Sequence, residues 1–198
     1  MCGRMYIEPE DPTGELHSIL ATLRFKNEIE AISVKLSGEI FPSNIIPVII
    51  EVQGSEQAAV PMKWGFPRFD SKGLIINARS ETAAIKPTFR QSAKNMRCII
   101  PVSYYFEWQS KEKEKIKYSL RPSNGSLAYI AGLYKIDSHS GGQVFTVLTR
   151  QADDKISFIH NRMPVILPKQ LIYEWLSPHN SFDEFINRTV GELDYKIA

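Results

Sequence analysis

A chain of 198 residues, 43% hydrophobic and 11% aromatic, has the size and apolar content of one ordinary domain with a continuous core. Its net charge of +2 is too small to announce a nucleic-acid partner, which local clusters of arginine and lysine would have to meet. No apolar run approaches the roughly 20 residues that span a bilayer, no secretory signal opens the chain, and two cysteines make no disulfide framework, so a cytoplasmic, reducing location is expected.

In chain order, Cys2 to Glu8 alternates loosely and reads as a short strand. Leu16, Ile19, Leu20 and Leu23 recur at helical spacing and predict a first helix over Pro12 to Leu23. Pro47 to Val52 and Ala58 to Phe66 read as paired strands across Gln53-Gly54-Ser55. The apolar run Leu74-Ile75-Ile76 ends in Asn77-Ala78-Arg79-Ser80-Glu81-Thr82, where Ser80 or Thr82 is suited to cap a helix running toward Lys94. Four strands follow: Arg97 to Trp108, Ile116 to Arg121, Leu127 to Lys135 and Gln143 to Thr149. Their turns fall at Lys111 to Lys115, Ser123-Asn124-Gly125 and Asp137 to Gly142. Pro168 stands at the first turn of a helix carrying Leu171, Ile172, Trp175 and Leu176, and a last helix covers Phe182 to Arg188. Runs of strands with helices at the ends predict one α+β domain over residues 1–198, with a curled, barrel-like, mostly antiparallel sheet flanked by helices.

Cys2 has a property that an internal cysteine lacks. Removal of Met1 leaves an amine and a thiol on adjacent carbons of one residue. An α-amine titrates near pH 8, against about 10.4 for lysine, so far more of it is nucleophilic at neutral pH. Such an aminothiol attacks an aldehyde through nitrogen and closes through sulfur to a five-membered thiazolidine, given an acid–base group nearby. The alternative is a small apolar residue in a frayed terminus. Glu107 is the lone carboxylate of the aromatic stretch Cys98 to Trp108. Between Phe106 and Trp108 it would be partly desolvated and suited to proton transfer, although strand alternation equally permits a solvent-facing glutamate. His160, in Ile159-His160-Asn161-Arg162-Met163-Pro164, is either structural or an acid–base partner. Metal-ligand spacing is absent, so no metal is expected.

Seven segments carry a resemblance: Met1-Cys2-Gly3-Arg4, Pro42 with Pro47-Val48-Ile49, Trp64-Gly65-Phe66, Asn77-Ala78-Arg79-Ser80-Glu81-Thr82, Cys98-Ile99-Ile100-Pro101, Phe106-Glu107-Trp108 and His160-Asn161-Arg162-Met163-Pro164. Together they resemble the SOS response-associated peptidase (SRAP) family, whose members shield abasic sites, and they follow the family's order from residue 2 to about residue 176. The resemblance implies that Cys2 forms a thiazolidine with the ring-opened sugar aldehyde of an abasic site in single-stranded DNA. Glu107 would shuttle protons during imine formation and reversal, His160 would donate a proton to the sugar ring oxygen, and Asn77 would orient the amine or the sugar. Arg4 and Arg79, with Arg162 and Lys86 as helpers, would hold phosphates without reading sequence. Trp64 and Phe69 would pack on exposed bases or form a wedge; core packing is the other reading of Trp64. The resemblance implies no cofactor, and a monomer is expected.

Three features depart from the family pattern. Glu39-Ile40-Phe41-Pro42 replaces the usual Asn-x-x-Pro, Tyr104 stands where glycine is customary, and no Val-Asn segment is recognisable in Gly191 to Ala198. Three other readings compete: an N-terminal-nucleophile hydrolase, which also begins Met-Cys-Gly; a peptidase pairing Cys2 with His160, self-processing included; and a single-strand-binding module without chemistry.

Overall fold

A computed structural model describes residues 2–10, 13–25, 27–52, 56–69, 72–112 and 114–198. The expectations for Met1, Pro12, Lys113 and the Gln53-Gly54-Ser55 turn lie outside the described residues. Five strands close a ring: β3 (Ile45–Glu51), β4 (Gln57–Trp64), β8 (Arg97–Val102), β11 (Ala128–Ile136) and β12 (Gln143–Gln151). Around it β3 pairs with β4, β4 with β12, β12 with β11, β11 with β8, and β8 with β3. Two short strands extend β12: β7 (Asn77–Arg79), which is parallel to it, and β13 (Arg162–Pro164). A second sheet, in the order β14-β10-β9-β1-β2, is wholly antiparallel; it comprises β1 (Arg4–Ile7), β2 (Gly38–Ile40), β9 (Tyr104–Lys111), β10 (Glu114–Pro122) and β14 (Leu193–Ile197). A two-stranded ribbon, β5 (Phe66–Pro67) with β6 (Leu74–Ile75), completes the strands. The α+β class with a curled sheet holds.

Apolar residues on both faces of the ring strands explain the closure. All six residues of β8 are buried, and Trp64, Met62, Ile99 and Phe145 are fully buried side chains of the core. At the seam, Gly132 pairs with Cys98 on one side and Val147 on the other. A Cβ there would lie 2.5 Å from Ile100 Cδ1 and 2.9 Å from the Thr146 carbonyl, so only glycine lets the three strands approach.

Two expected elements are each divided. Arg97 to Trp108 is two strands with a break at Ser103: β8 belongs to the ring and β9 to the open sheet. The expected helix from Ser80 to Lys94 is α3 (Ser80–Ala83) and α4 (Arg90–Asn95), separated by a segment containing Pro87, which removes an N–H donor and disfavours helix at the residue before it. Neither Ser80 nor Thr82 caps it: Arg79 holds the N-cap position, without a side-chain bond. The other helices are short: α1 (Glu15–Leu20), α2 (Glu28–Ser33), α5 (Asp154–Ser157), α6 (Ile172–Leu176) and α7 (Phe182–Ile186), with a 3-10 turn at Lys169–Leu171. No described helix is long and apolar enough to cross a membrane.

Candidate active site

The start of the chain runs into the junction of the two sheets. Cys2 is fully buried, and its carbonyl accepts a 2.8 Å hydrogen bond from Asn77 Nδ2. Asn77 owes its place to β7, which pairs with β12 through Asn77 opposite Val147. The amide's Oδ1 is also buried and has no protein partner among the described residues.

Strand register explains the burial of Glu107. Met5 lies opposite Tyr105, and Glu107 opposite Tyr118, so alternation sends Met5, Tyr105, Glu107, Tyr118 and Leu120 to one face. That face is interior: Met5 and Tyr105 are fully buried and Glu107 is 3% exposed. The solvent-facing alternative for Glu107 is therefore overturned. Burial pushes the Cys2 thiol well above its ordinary range, the nearby Glu107 carboxylate pushes the same way, and a bond from the Arg4 backbone N–H opposes both. The carboxylate and the sulfur thus both lie in the low-dielectric interior. Tyr105, which the sequence did not single out, shares it too. Its hydroxyl is buried without a protein partner among the described residues, and burial, Cys2 and Glu107 together raise its pKa well above the phenol range.

His160 lies between α5 and β13, half-buried. Its Nδ1 accepts the backbone N–H of Arg162 at 2.9 Å, which leaves Nε2 as the nitrogen carrying the ring hydrogen. Thr149 of β12 lies opposite both Arg79 and Pro164, so β12 carries β7 and the His160 loop at the same end. The Arg162 guanidinium is held by both oxygens of Glu81 and by the Thr149 carbonyl, the last at 2.6 Å. That pairing holds the Glu81 carboxyl below its ordinary range, against the opposing effect of its partial burial.

The expected DNA-contact residues divide. Arg79, Lys86 and Phe69 are exposed, with Phe69 fully so. Trp64 is a correction: it is fully buried, stacks on Phe145 at 6.2 Å and donates from Nε1 to the Ile76 carbonyl at 3.0 Å, so it presents no face to a base. Arg4 lies on the outward face of β1, its guanidinium 3.8 Å from the Phe41 ring centroid. The same face carries Tyr6 stacked on Tyr104 at 4.8 Å, and Phe106 capped by Lys117 Nζ at 3.7 Å. Lys117, inside the expected strand Ile116 to Arg121, was not singled out in the sequence; pairing across the hairpin sets it opposite Trp108. No group of three metal-ligating side chains occurs among the described residues.

The family model described as SOS response associated peptidase (SRAP) matches residues 1–195. The abasic site processing protein YoqW of Bacillus subtilis is 30% identical, over 98% of this chain and 88% of its own length. YoaM of the same organism, which carries the same description, is 34% identical over 80% of this chain and 73% of its own. YedK of Escherichia coli, also an abasic site processing protein, is 29% identical over 59% and 54%. Among solved structures, a protein from Bacteroides thetaiotaomicron superposes with a TM-score of 0.79 at 21% identity, covering 99% of this chain and 91% of that one. One from Bordetella bronchiseptica superposes with a TM-score of 0.77 at 21% identity, covering 100% and 99%. The match along nearly the whole length places the chain in the SOS response associated peptidase (SRAP) family.

Proposed function

We propose that this chain processes abasic sites in single-stranded DNA by covalent capture through Cys2. The observation that carries the reading is the buried junction in which Asn77 holds the Cys2 carbonyl and Glu107, on the inward face of β9, is buried with its carboxylate near enough to raise the thiol's pKa. Relatives described as abasic site processing proteins, aligned over most of their length, support it.

Met1 is removed first, which frees the α-amine. The ring-opened sugar presents an aldehyde, and the amine adds to its carbon. The resulting carbinolamine loses water to give an imine, with Glu107 delivering the proton that lets hydroxide leave. The Cys2 sulfur then adds to the imine carbon while its proton passes to nitrogen, closing the thiazolidine. One water is released overall. His160, with a hydrogen on Nε2, donates to the sugar ring oxygen as the ring opens. Asn77 fixes the Cys2 backbone so that amine and sulfur meet one carbon in turn. Arg4, Arg79 and Lys86 contact phosphates and Phe69 offers an exposed ring for stacking, while Arg162, held by Glu81 and the Thr149 carbonyl, braces the His160 loop instead.

The test is incubation of the mature protein with single-stranded DNA carrying one abasic site, followed by a denaturing gel. A slow-migrating covalent species that is absent with Cys2→Ala is expected. Reversible, salt-sensitive complexes alone would leave only a binding module. Peptide hydrolysis without crosslinking would favour the hydrolase reading.

A further inference from the structure

Glu39 stands between two cations on the outward face of the five-stranded sheet. The β1–β2 register sets it opposite Tyr6, and Oε1 accepts from Arg4 Nη1 at 3.0 Å and from Lys117 Nζ at 2.8 Å. Its backbone carbonyl takes Lys35 Nζ at 2.6 Å. Three cations from three parts of the chain thus converge on one acidic residue, over a floor of aromatic rings. Arg4 lies on Phe41 and reaches within 5.7 Å of Trp108, while Lys117 caps Phe106. The side chains remain 27–30% exposed, so a ligand can reach them. Ion pairs this exposed are individually weak and give way to a better-placed anion.

We propose that Glu39 is an internal competitor of the DNA backbone. It occupies, on Arg4 and Lys117, the place that a phosphodiester takes, and a single strand binds this face only by displacing it. The inference rests on the single-strand reading above and adds a consequence to it. Undamaged strands are held loosely, while lesion-bearing strands are retained because their capture is covalent.

The experiment reads non-covalent binding of an undamaged, dye-labelled single strand to mature protein by anisotropy across a salt series, in a Cys2→Ala background. Glu39→Gln keeps a hydrogen-bond acceptor and removes the charge. It is expected to bind about three- to tenfold more tightly at low salt. Its log–log salt slope should steepen by about 0.7 for each phosphate gained. The gain should disappear when Arg4 and Lys117 are also replaced by alanine. Glu56→Gln, which makes the same change in net charge beside Arg24, should give no comparable gain. If Glu39→Gln unfolds, Glu39→Ala and a cycle of Lys117→Ala with and without Glu39 give the same coupling. No gain, a gain matched by Glu56→Gln, or a gain that survives loss of both cations overturns the proposal. Crosslinking of wild type to abasic DNA is run alongside: its presence without any Glu39 effect sinks this inference alone, whereas its absence sinks the DNA reading itself.

Discussion

Asn77 Nδ2 donates a 2.8 Å hydrogen bond to the carbonyl of Cys2, tying β7 to a residue 75 positions earlier. The bond acts on the backbone of the residue proposed to react, not on its thiol, so on that reading it governs where the amine and sulfur point. Asn77→Ala should therefore reduce the crosslinking rate by up to about 100-fold, while stability falls by only about 1 kcal/mol for one lost hydrogen bond. Asn77→Asp, which sets an acceptor against an acceptor, should be no better than alanine. Single-turnover crosslinking and thermal melts of both variants decide this. Rates that track the loss of folded protein would reduce Asn77 to a structural bond.

The state of residue 1 is the next point of test. Only when Met1 is gone are amine and thiol adjacent, and Cys2 in the full chain is fully buried. Intact mass of active protein should lack methionine, and a peptide tag fused ahead of Cys2 should abolish crosslinking until it is cleaved away. Cys2→Ser should still form an imine, trappable by borohydride and lost without it. Full crosslinking by a species that retains methionine sinks the thiazolidine route.

Trp64 and Phe69 should behave oppositely. Trp64 is core, so Trp64→Ala should lose about 3–5 kcal/mol of stability. Phe69 touches solvent on every side, so Phe69→Ala should leave the melt unchanged. On the stacking reading it weakens single-strand retention by about 1–3 kcal/mol. Unchanged DNA retention in Phe69→Ala would remove it from the interface.

How much of this was legible follows from what each residue's signal depends on. The β3–β4 pair was readable because two apolar runs flank a turn-like tripeptide, a local pattern. The break at Ser103 was not, because the apolar run continues through a strand that changes sheets; only the partners on either side reveal it. Cys2, Asn77 and Glu107 were found as residue types in motifs, but the burial of Glu107 depends on which face of β9 turns inward, and alternation leaves that choice open. The short strands β2, β7, β13 and β14 gain stability from long-range pairing and have too few residues to show a period. Trp64 was ambiguous because the same indole serves a core or a base, and only its tertiary burial against Phe145 and its bond to the Ile76 carbonyl separate the two.

Alkaline pH offers a check on the buried thiols. Burial raises the pKa of Cys2, further aided by Glu107, and raises that of Cys98 well above its ordinary value. The unfolded chain loses these protons near pH 8.5, while the folded chain keeps them. Stability from this source is therefore intact below about pH 8.5 and declines as pH rises toward the folded values. The slope approaches about 1.4 kcal/mol per pH unit for each thiol. Urea titrations at neutral and alkaline pH should show a shallower decline for Cys98→Ala than for wild type. Parallel declines would mean that Cys98 ionises as freely in the folded state as in the unfolded one.

Glu107 and His160 should separate kinetically, which a simple binding role does not predict. An abasic sugar is mostly a closed ring, so a donor at the ring oxygen matters while the ring opens. On the proposed mechanism Glu107 should matter wherever water or thiol leaves the former aldehyde carbon, in both directions. General acid–base groups contribute on the order of 10²–10⁴-fold, so each loss is measurable as a rate. His160→Ala should slow crosslinking on a ring-closed abasic site and have much less effect on an open-chain aldehyde of similar size. Glu107→Gln should slow formation on both substrates and, in preformed crosslinks, slow release as well. The measurement is a time course for each variant on each substrate, with transfer of preformed adduct to competitor DNA as the reverse reaction. Because Glu107 is 3% exposed, its amide analogue has little access to water that could replace the lost acid, so the defect should persist at saturating DNA. Wild-type rates restored by saturating DNA in both variants would mean that the two residues bind the strand and move no proton.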